Sequence, residues 1–204
     1  MAEPCVFVVD DDEAVRDGLC ELFAAEGISA RAFSSAEEFL GADVARQPGC
    51  VLLDIHMPGM TGIELQSELA RQGATIPVII VTGQGDVPKA VATLKAGAMD
   101  FIEKPVDPAA LLQVVGQAFD REGRSRHDAE EQHETELRLA TLSPREHQVL
   151  DLVVAGHSNK AIGAKLGISV RTVENHRAKL MDKMQCANVS SLITMILQSK
   201  KSVS

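Results

Sequence analysis

Six side chains in this sequence have the types and positions to form one acidic, cation-binding site: Asp10, Asp11, Asp12, Asp54, Thr82 and Lys104. They follow the short strand-like runs Val6–Val9, Val51-Leu52-Leu53, Val78–Val81 and Phe101-Ile102-Glu103. If those runs are parallel strands, their C-terminal ends line one crevice, where open α/β sheets bind ligands. Carboxylates crowded there repel one another unless a cation joins them. A hard divalent ion such as Mg²⁺, with carboxylates, waters and a phosphate as ligands, is the natural partner. An aspartate so placed can accept a phosphoryl group as an aspartyl phosphate. Mg²⁺ and an ammonium would neutralise the charge developing on the equatorial oxygens. Thr82 would hydrogen-bond one phosphoryl oxygen and Lys104 would pair with another.

Taken singly, these residues have plainer readings. Acidic residues at strand ends are often solvated loop residues, and Asp12 suits a cap for the following helix better than a metal ligand. Phe101 alone reads as core packing. A lone His56 is weak as a side-chain metal ligand. A phosphatase of the haloacid-dehalogenase type would also use Asp-x-Asp and Mg²⁺, and Asp10 with Asp12 has that spacing. The first domain is too short to hold that fold's core and cap.

Strand candidates are Cys5–Val9, Ile28–Phe33, Cys50–Leu53, Val78–Thr82 and Asp100–Glu103, with amphipathic helical stretches between them. Ser35 with Glu38 and Thr61 with Glu64 have capping-box spacing, and Asp107-Pro108 reads as an N-cap followed by an N1 proline. Strands alternating with helices predict an α/β doubly wound five-stranded parallel sheet, flavodoxin-like, over residues 1–122.

These elements resemble the response-regulator receiver family. The matching motifs are Val8-Val9-Asp10-Asp11-Asp12, Leu53-Asp54-Ile55-His56-Met57-Pro58-Gly59-Met60-Thr61-Gly62, Val81-Thr82-Gly83, Ala96-Gly97-Ala98 and Glu103-Lys104-Pro105. The stretch Thr82–Val91 with Asp100–Pro105 looks most like the FixJ branch, which hints at nitrogen-fixation or microaerobic control. The resemblance implies that Asp54 takes a phosphoryl group from a sensor histidine kinase. It implies that Asp11, Asp54 and the His56 carbonyl hold Mg²⁺, with Asp10 supporting through water. Thr82 and Phe101 would be the switch pair, and Lys104-Pro105 would carry a cis peptide. A face built by the receiver's fourth helix, fifth strand and fifth helix, with Val91 and Lys95 on it, would pair two phosphorylated copies. The chain would be a phosphoacceptor that assists its own phosphoryl transfer and hydrolysis, and not an enzyme acting on other substrates.

Residues 123–140 hold almost no large apolar side chains and read as a charged linker, either a solvated continuation of the last receiver helix or flexible chain. From 141 to 204 the period is helical, predicting an all-α domain of four helices. Ser143-Pro144-Arg145-Glu146 combines an N-cap, an N1 proline and a capping-box glutamate. Ser158 and Ser169 read as N-caps, Gly156 and Gly167 follow the preceding helices, and a last helix starts near Asn188. The two helices flanking Gly167-Ile168 have helix-turn-helix proportions.

Leu142–Glu146, Asn159–Gly163 and Thr172–Leu180 resemble the LuxR-type helix-turn-helix, with departures at His147 and at Gly163, where alanine is common. On the second of the two helices Val173, Leu180 and Met184 share one side by period. Arg171, Glu174, Asn175 and Ala178 fall elsewhere near its N-terminus and are candidate base readers. Lys160, Thr172, Lys179 and Lys183 are candidate phosphate contacts. The resemblance implies double-stranded promoter DNA and RNA polymerase as partners.

Charge divides the same way. The net is −12 over residues 1–122, −2 over 123–140 and +5 over 141–204, an acidic module joined to one suited to a polyanion. With 3% aromatic residues and no Trp or Tyr, stacking on single strands is disfavoured. The four scattered cysteines predict buried, reduced thiols. No apolar run has the length of a membrane span, and the N-terminus lacks signal-peptide character, so a cytoplasmic protein is expected.

Overall fold

The computed structural model describes residues 3–83, 94–95 and 97–201. They form two compact units, Met1–Arg126 and His127–Ser204. The expected face residue Val91 lies outside the described residues. Lys95 is helical and exposed. Among the described residues no helix is long and apolar enough to cross a membrane.

The first unit is a parallel sheet of β1 (Cys5–Val9), β2 (Ser29–Phe33), β3 (Gly49–Asp54), β4 (Val78–Thr82) and β5 (Asp100–Glu103), in the order β2-β1-β3-β4-β5. The helices are α1 (Glu13–Ala25), α2 (Ala36–Gly41), α3 (Gly62–Arg71) and the first part of α4 (Pro108–Ala140). Pleating sorts the inner strands onto two cores, as expected of a parallel sheet covered on both faces. Phe7, Val9, Val51, Leu53 and Ile80 pack with Phe39 of α2 and Leu65 of α3. Val6, Val8, Leu52, Ile79 and Val81 pack with Phe23 of α1 and Leu111 and Val115 of α4. Cys5 belongs with the first set and Cys50 with the second, so these neighbours in the sheet face opposite ways. All four thiols are free, but only Cys50 is buried, so the expectation of buried cysteines is corrected for Cys5, Cys20 and Cys186. Burial pushes the Cys50 thiol up to about 12.

Helix starts follow local chemistry. Asp12 caps α1 through the Ala14 amide at 2.9 Å, and Thr61 with Glu64 forms a full capping box on α3. Ser35 caps α2, but the Glu38 carboxylate turns to Ser34 N and Oγ, both at 2.7 Å, leaving half a box. Asp107 accepts the Ala109 amide at the start of α4.

The second unit holds the last part of α4 with α5 (Pro144–Val154), α6 (Asn159–Leu166), α7 (Val170–Lys183) and α8 (Val189–Lys201). The stretch whose conformation composition left open is helical to Ala140. Leu139, next to its C-terminal residue, packs on a core of Val149, Ile162, Val173, Leu180, Met184 and Leu192. Ser143 and Glu146 make the capping box of α5, and Ser158 and Ser169 cap α6 and α7. Asn188 accepts the Ser191 amide before α8. Gly167 takes the left-handed conformation at φ 66° that ends α6 and opens the turn. Gly163 is glycine for a steric reason: a Cβ there would lie 2.8 Å from the Ile168 carbonyl oxygen.

Candidate functional site

Parallel strands ending together bring Asp10, Asp54, Thr82 and Lys104 to one edge of the sheet. Asp10 follows β1, Asp54 ends β3, Thr82 ends β4 and Lys104 follows β5. The Lys104 ammonium lies 2.8 Å from Asp10 Oδ2 and 2.8 Å from Asp54 Oδ1. Both carboxylates are buried, at 3% and 7% exposure. Their remaining oxygens accept backbone amides: Asp12 N–H donates to Asp10 Oδ1 at 2.9 Å, and His56 N–H donates to Asp54 Oδ2 at 2.5 Å. Arg16 Nη1 donates to the Asp10 carbonyl at 2.8 Å. Asp11 is exposed beside them.

Burial raises the Asp54 carboxyl above the ordinary carboxylate range, against the hydrogen bond and charge of Lys104, which pull it down. Burial also lowers Lys104, but its bonds to Asp10 and Asp54 and their charges outweigh this and leave the ammonium raised. Among the described residues no three His, Cys, Asp or Glu side chains converge as a ready-made metal cluster. Lys104 joins the two buried carboxylates instead. The donors are all hard oxygens, with Asp11 adjacent, and their chemistry suits a hard divalent cation.

Thr82 is buried, its hydroxyl 3.5 Å from the Gly83 carbonyl. Phe101 is half-buried against the core shared by α2 and α3. Lys104–Pro105 is cis.

The loop from Ile55 to Thr61 is closed by the Gly62 amide on the Ile55 carbonyl at 3.1 Å. A Cβ on Gly62 would collide with the Asp54 carbonyl oxygen, so α3 starts directly against the peptide of the aspartate. Glu37 of α2, which sequence reading missed, accepts the Met60 amide at 3.0 Å. Gly59 next to it has φ 76°, and a Cβ there would lie 2.9 Å from Glu37 Oε1. Bonds to its own backbone and to Met60 hold the Glu37 carboxyl below its ordinary range. The glycine pair at 59 and 62 was the available signal for this close packing. The pairing of Glu37 with Met60 leaves no periodic trace.

In the second unit Val173, Leu180 and Met184 of the α7 segment are buried. Arg171, Glu174, Asn175, Ala178 and Lys179 are exposed, as is Lys160 on α6. Thr172 is half-buried, its hydroxyl 2.8 Å from that of the cap Ser169. Lys183 is engaged inside the unit, 2.7 Å from Glu146 Oε2 and 2.9 Å from the Thr141 carbonyl. Arg177 bonds Asn159 Oδ1 at 2.6 Å, tying α7 to α6. An arginine outside the predicted domain, Arg138, reaches Met184 and Gln185 just past the end of α7.

Residues 6–116 match the family described as "Response regulator receiver domain", and residues 140–196 match "Bacterial regulatory proteins, luxR family". The chain is 44% identical over 192 residues to Transcriptional regulatory protein FixJ of Azorhizobium caulinodans, covering 94% of this chain and 91% of that protein. It is 41% identical to the Rhizobium meliloti protein of the same name, over 97% of each. Among solved structures, response regulator StyR is similar at a TM-score of 0.87 and 39% identity, covering 97% of this chain and 100% of StyR. Full-length FixJ from B. japonicum is similar at a TM-score of 0.61 and 37% identity, over 98% and 99%.

Proposed function

The chain belongs to the two-component response regulators that join a receiver domain to a LuxR-type DNA-binding domain, and we propose that Asp54 is its phosphoacceptor. The observation that carries this is the single ammonium of Lys104 bonded to both buried carboxylates, Asp10 and Asp54. A carboxylate so held can attack phosphorus while an ammonium stands ready for the transferred oxygens.

The donor is the phosphohistidine of a sensor histidine kinase. A carboxylate oxygen of Asp54 forms the new O–P bond as the N–P bond breaks, and the imidazole leaves and takes up a proton. Asp11, Asp54 and the His56 carbonyl would hold Mg²⁺, with Asp10 supporting through water, and the ion would supply charge neutralisation at the phosphoryl oxygens. Lys104 pairs with one phosphoryl oxygen and Thr82 donates its hydroxyl to another. Phe101 follows Thr82 inward, and the surface bearing Lys95 pairs two copies. The same crevice admits water for hydrolysis of the aspartyl phosphate.

The second unit meets double-stranded promoter DNA through α7. Arg171, Glu174, Asn175 and Ala178 read base edges, while Lys160, Thr172 and Lys179 hold phosphates. Phosphorylated homodimers on two half-sites, working with RNA polymerase in the cytoplasm, complete the proposal. The test compares wild type with Asp54→Asn, adding a small-molecule phosphodonor and Mg²⁺ and following mass, self-association and DNA binding together. The wild type should gain one phosphoryl group and self-associate, and Asp54→Asn should do neither. Equal mass gain in both would move the acceptor elsewhere.

A further inference from the structure

The C-terminal carbonyls of a helix have no partner within it, and what caps them decides how firmly that end is held. At the end of α7 the cap comes from α4, out of the stretch that composition reads as linker. Arg138 Nη1 donates to the Met184 carbonyl at 3.3 Å, and Nη2 donates to Gln185 Oε1 at 3.1 Å. Glu134, one turn earlier on α4, holds the same guanidinium at 2.7 Å. The arginine side chain is only 19% exposed. Gln185 stands at φ 54°, a conformation rare for a residue with a side chain. The guanidinium therefore grips the turn that stops the helix. Leu139 and Leu142, on the C-terminal side of Arg138, pack into the core that receives Val173 and Leu180.

We infer that Arg138 is a positioning residue for sequence recognition. It fixes the C-terminal end of α7 so that the helix presents Arg171, Glu174, Asn175 and Ala178 in one orientation. A rigid fork of donors suits two acceptors at fixed separation, which a lysine ammonium does not reproduce. Its positive charge also sits favourably at the negative end of the helix dipole. The DNA-reading unit thus begins within α4, ahead of the helix-turn-helix proper. Arg138 acts through α7, so its loss should harm discrimination more than general DNA affinity.

The inference rests on α7 being the recognition helix. The experiment uses full-length wild type, Arg138→Ala, Arg138→Lys and Glu134→Gln, each first phosphorylated with a small-molecule donor and Mg²⁺. The probes are a duplex enriched from a random pool by the wild type and a scrambled duplex of equal length, titrated at several salt concentrations. Circular dichroism melts set an assay temperature at which every variant is folded. Arg138→Ala should lose about tenfold on the enriched duplex, the scale of one base contact, with a smaller loss on the scrambled one and an unchanged salt slope. Arg138→Lys should recover part of the loss, and Glu134→Gln should show a smaller loss in the same direction. Equal weakening on both duplexes with a slope reduced by about one would make Arg138 a phosphate contact and overturn the inference, as would no change at all. A wild type that enriches no sequence would instead overturn the reading of α7.

Discussion

Lys104 Nζ lies 2.8 Å from Asp54 Oδ1, so the cation of the site is already in contact with the carboxylate before any phosphoryl group arrives. The same ammonium also bonds Asp10. Removing it leaves two buried carboxylates facing each other. Breaking a fully buried pair costs about 3–5 kcal/mol; Lys104 is partly exposed, so Lys104→Ala should cost the receiver about 1–3 kcal/mol in denaturant unfolding. An unchanged midpoint would mean that the pair contributes nothing.

The pH dependence of the receiver follows from the directions of these shifts. Asp54 is raised in the folded state by burial. Its stabilising contribution is therefore complete below the ordinary carboxylate value and is lost as pH rises through the raised one. Lys104 is also raised, so its contribution is complete at neutral pH and is lost only as pH climbs beyond the usual lysine range. Relative to wild type, Asp54→Asn should gain melting temperature between acid and neutral pH. Parallel curves for wild type and variant would refute the assignment.

Glu146 and Lys183 make an opposite case in the second unit. The Lys183 bond, helped by the Ser143 amide, lowers the Glu146 carboxyl from 4.5 to about 2. Its contribution is present above the ordinary value and disappears as pH falls through the depressed one. Glu146→Gln should flatten the acid limb of unfolding in this unit. Lys183→Ala should lower its melting temperature with little effect on the salt slope of DNA binding. Lys160→Ala or Lys179→Ala should each reduce that slope by roughly 0.9, the share of one neutralised phosphate. A full unit of slope lost with Lys183→Ala would return that lysine to the DNA interface.

Most of the receiver site was legible because strand ends leave a mark in sequence: an apolar run that stops at a polar residue. Asp10, Asp54 and Thr82 carry that mark, and Lys104 stands one residue beyond it, after Glu103. The cap serines 143, 158 and 169 were legible because a cap and its partner stand within one turn. Pairings between distant elements left no such mark. Glu37 reaches Met60 across 23 residues, and Arg138 reaches Met184 across 46. Lys183 looked free to meet phosphate because nothing in its own helix announces Glu146.

The loop beside Asp54 can be tested through Glu37. Glu37→Ala removes the acceptor of the Met60 amide, and hydrogen exchange over residues 56–61 should quicken by several-fold. The concentration of Mg²⁺ needed for half-maximal phosphorylation should rise with it. Glu37→Gln keeps an acceptor oxygen and should behave more like wild type. Unaltered exchange in Glu37→Ala would show that the loop holds its shape without the clamp.

Gly62→Ala places a methyl group against the Asp54 carbonyl oxygen and Leu53 Cγ. Overpacking of this kind costs about 1–3 kcal/mol, read from denaturant midpoints. Phosphorylation with a small-molecule donor should slow as well, because the collision is with the acceptor's own peptide. A variant with wild-type stability and rate would mean that α3 can slide outward freely.

That seating of α3 has a mechanical consequence. A helix of ten residues, locked at its start by a full capping box, rests on the peptide of Asp54 with no space for one carbon atom. If a displacement of the strand tip tilts the helix about Gly62, the travel is greatest at Arg71. The far end of α3 is thus the place to look for motion too small to resolve beside the aspartate itself.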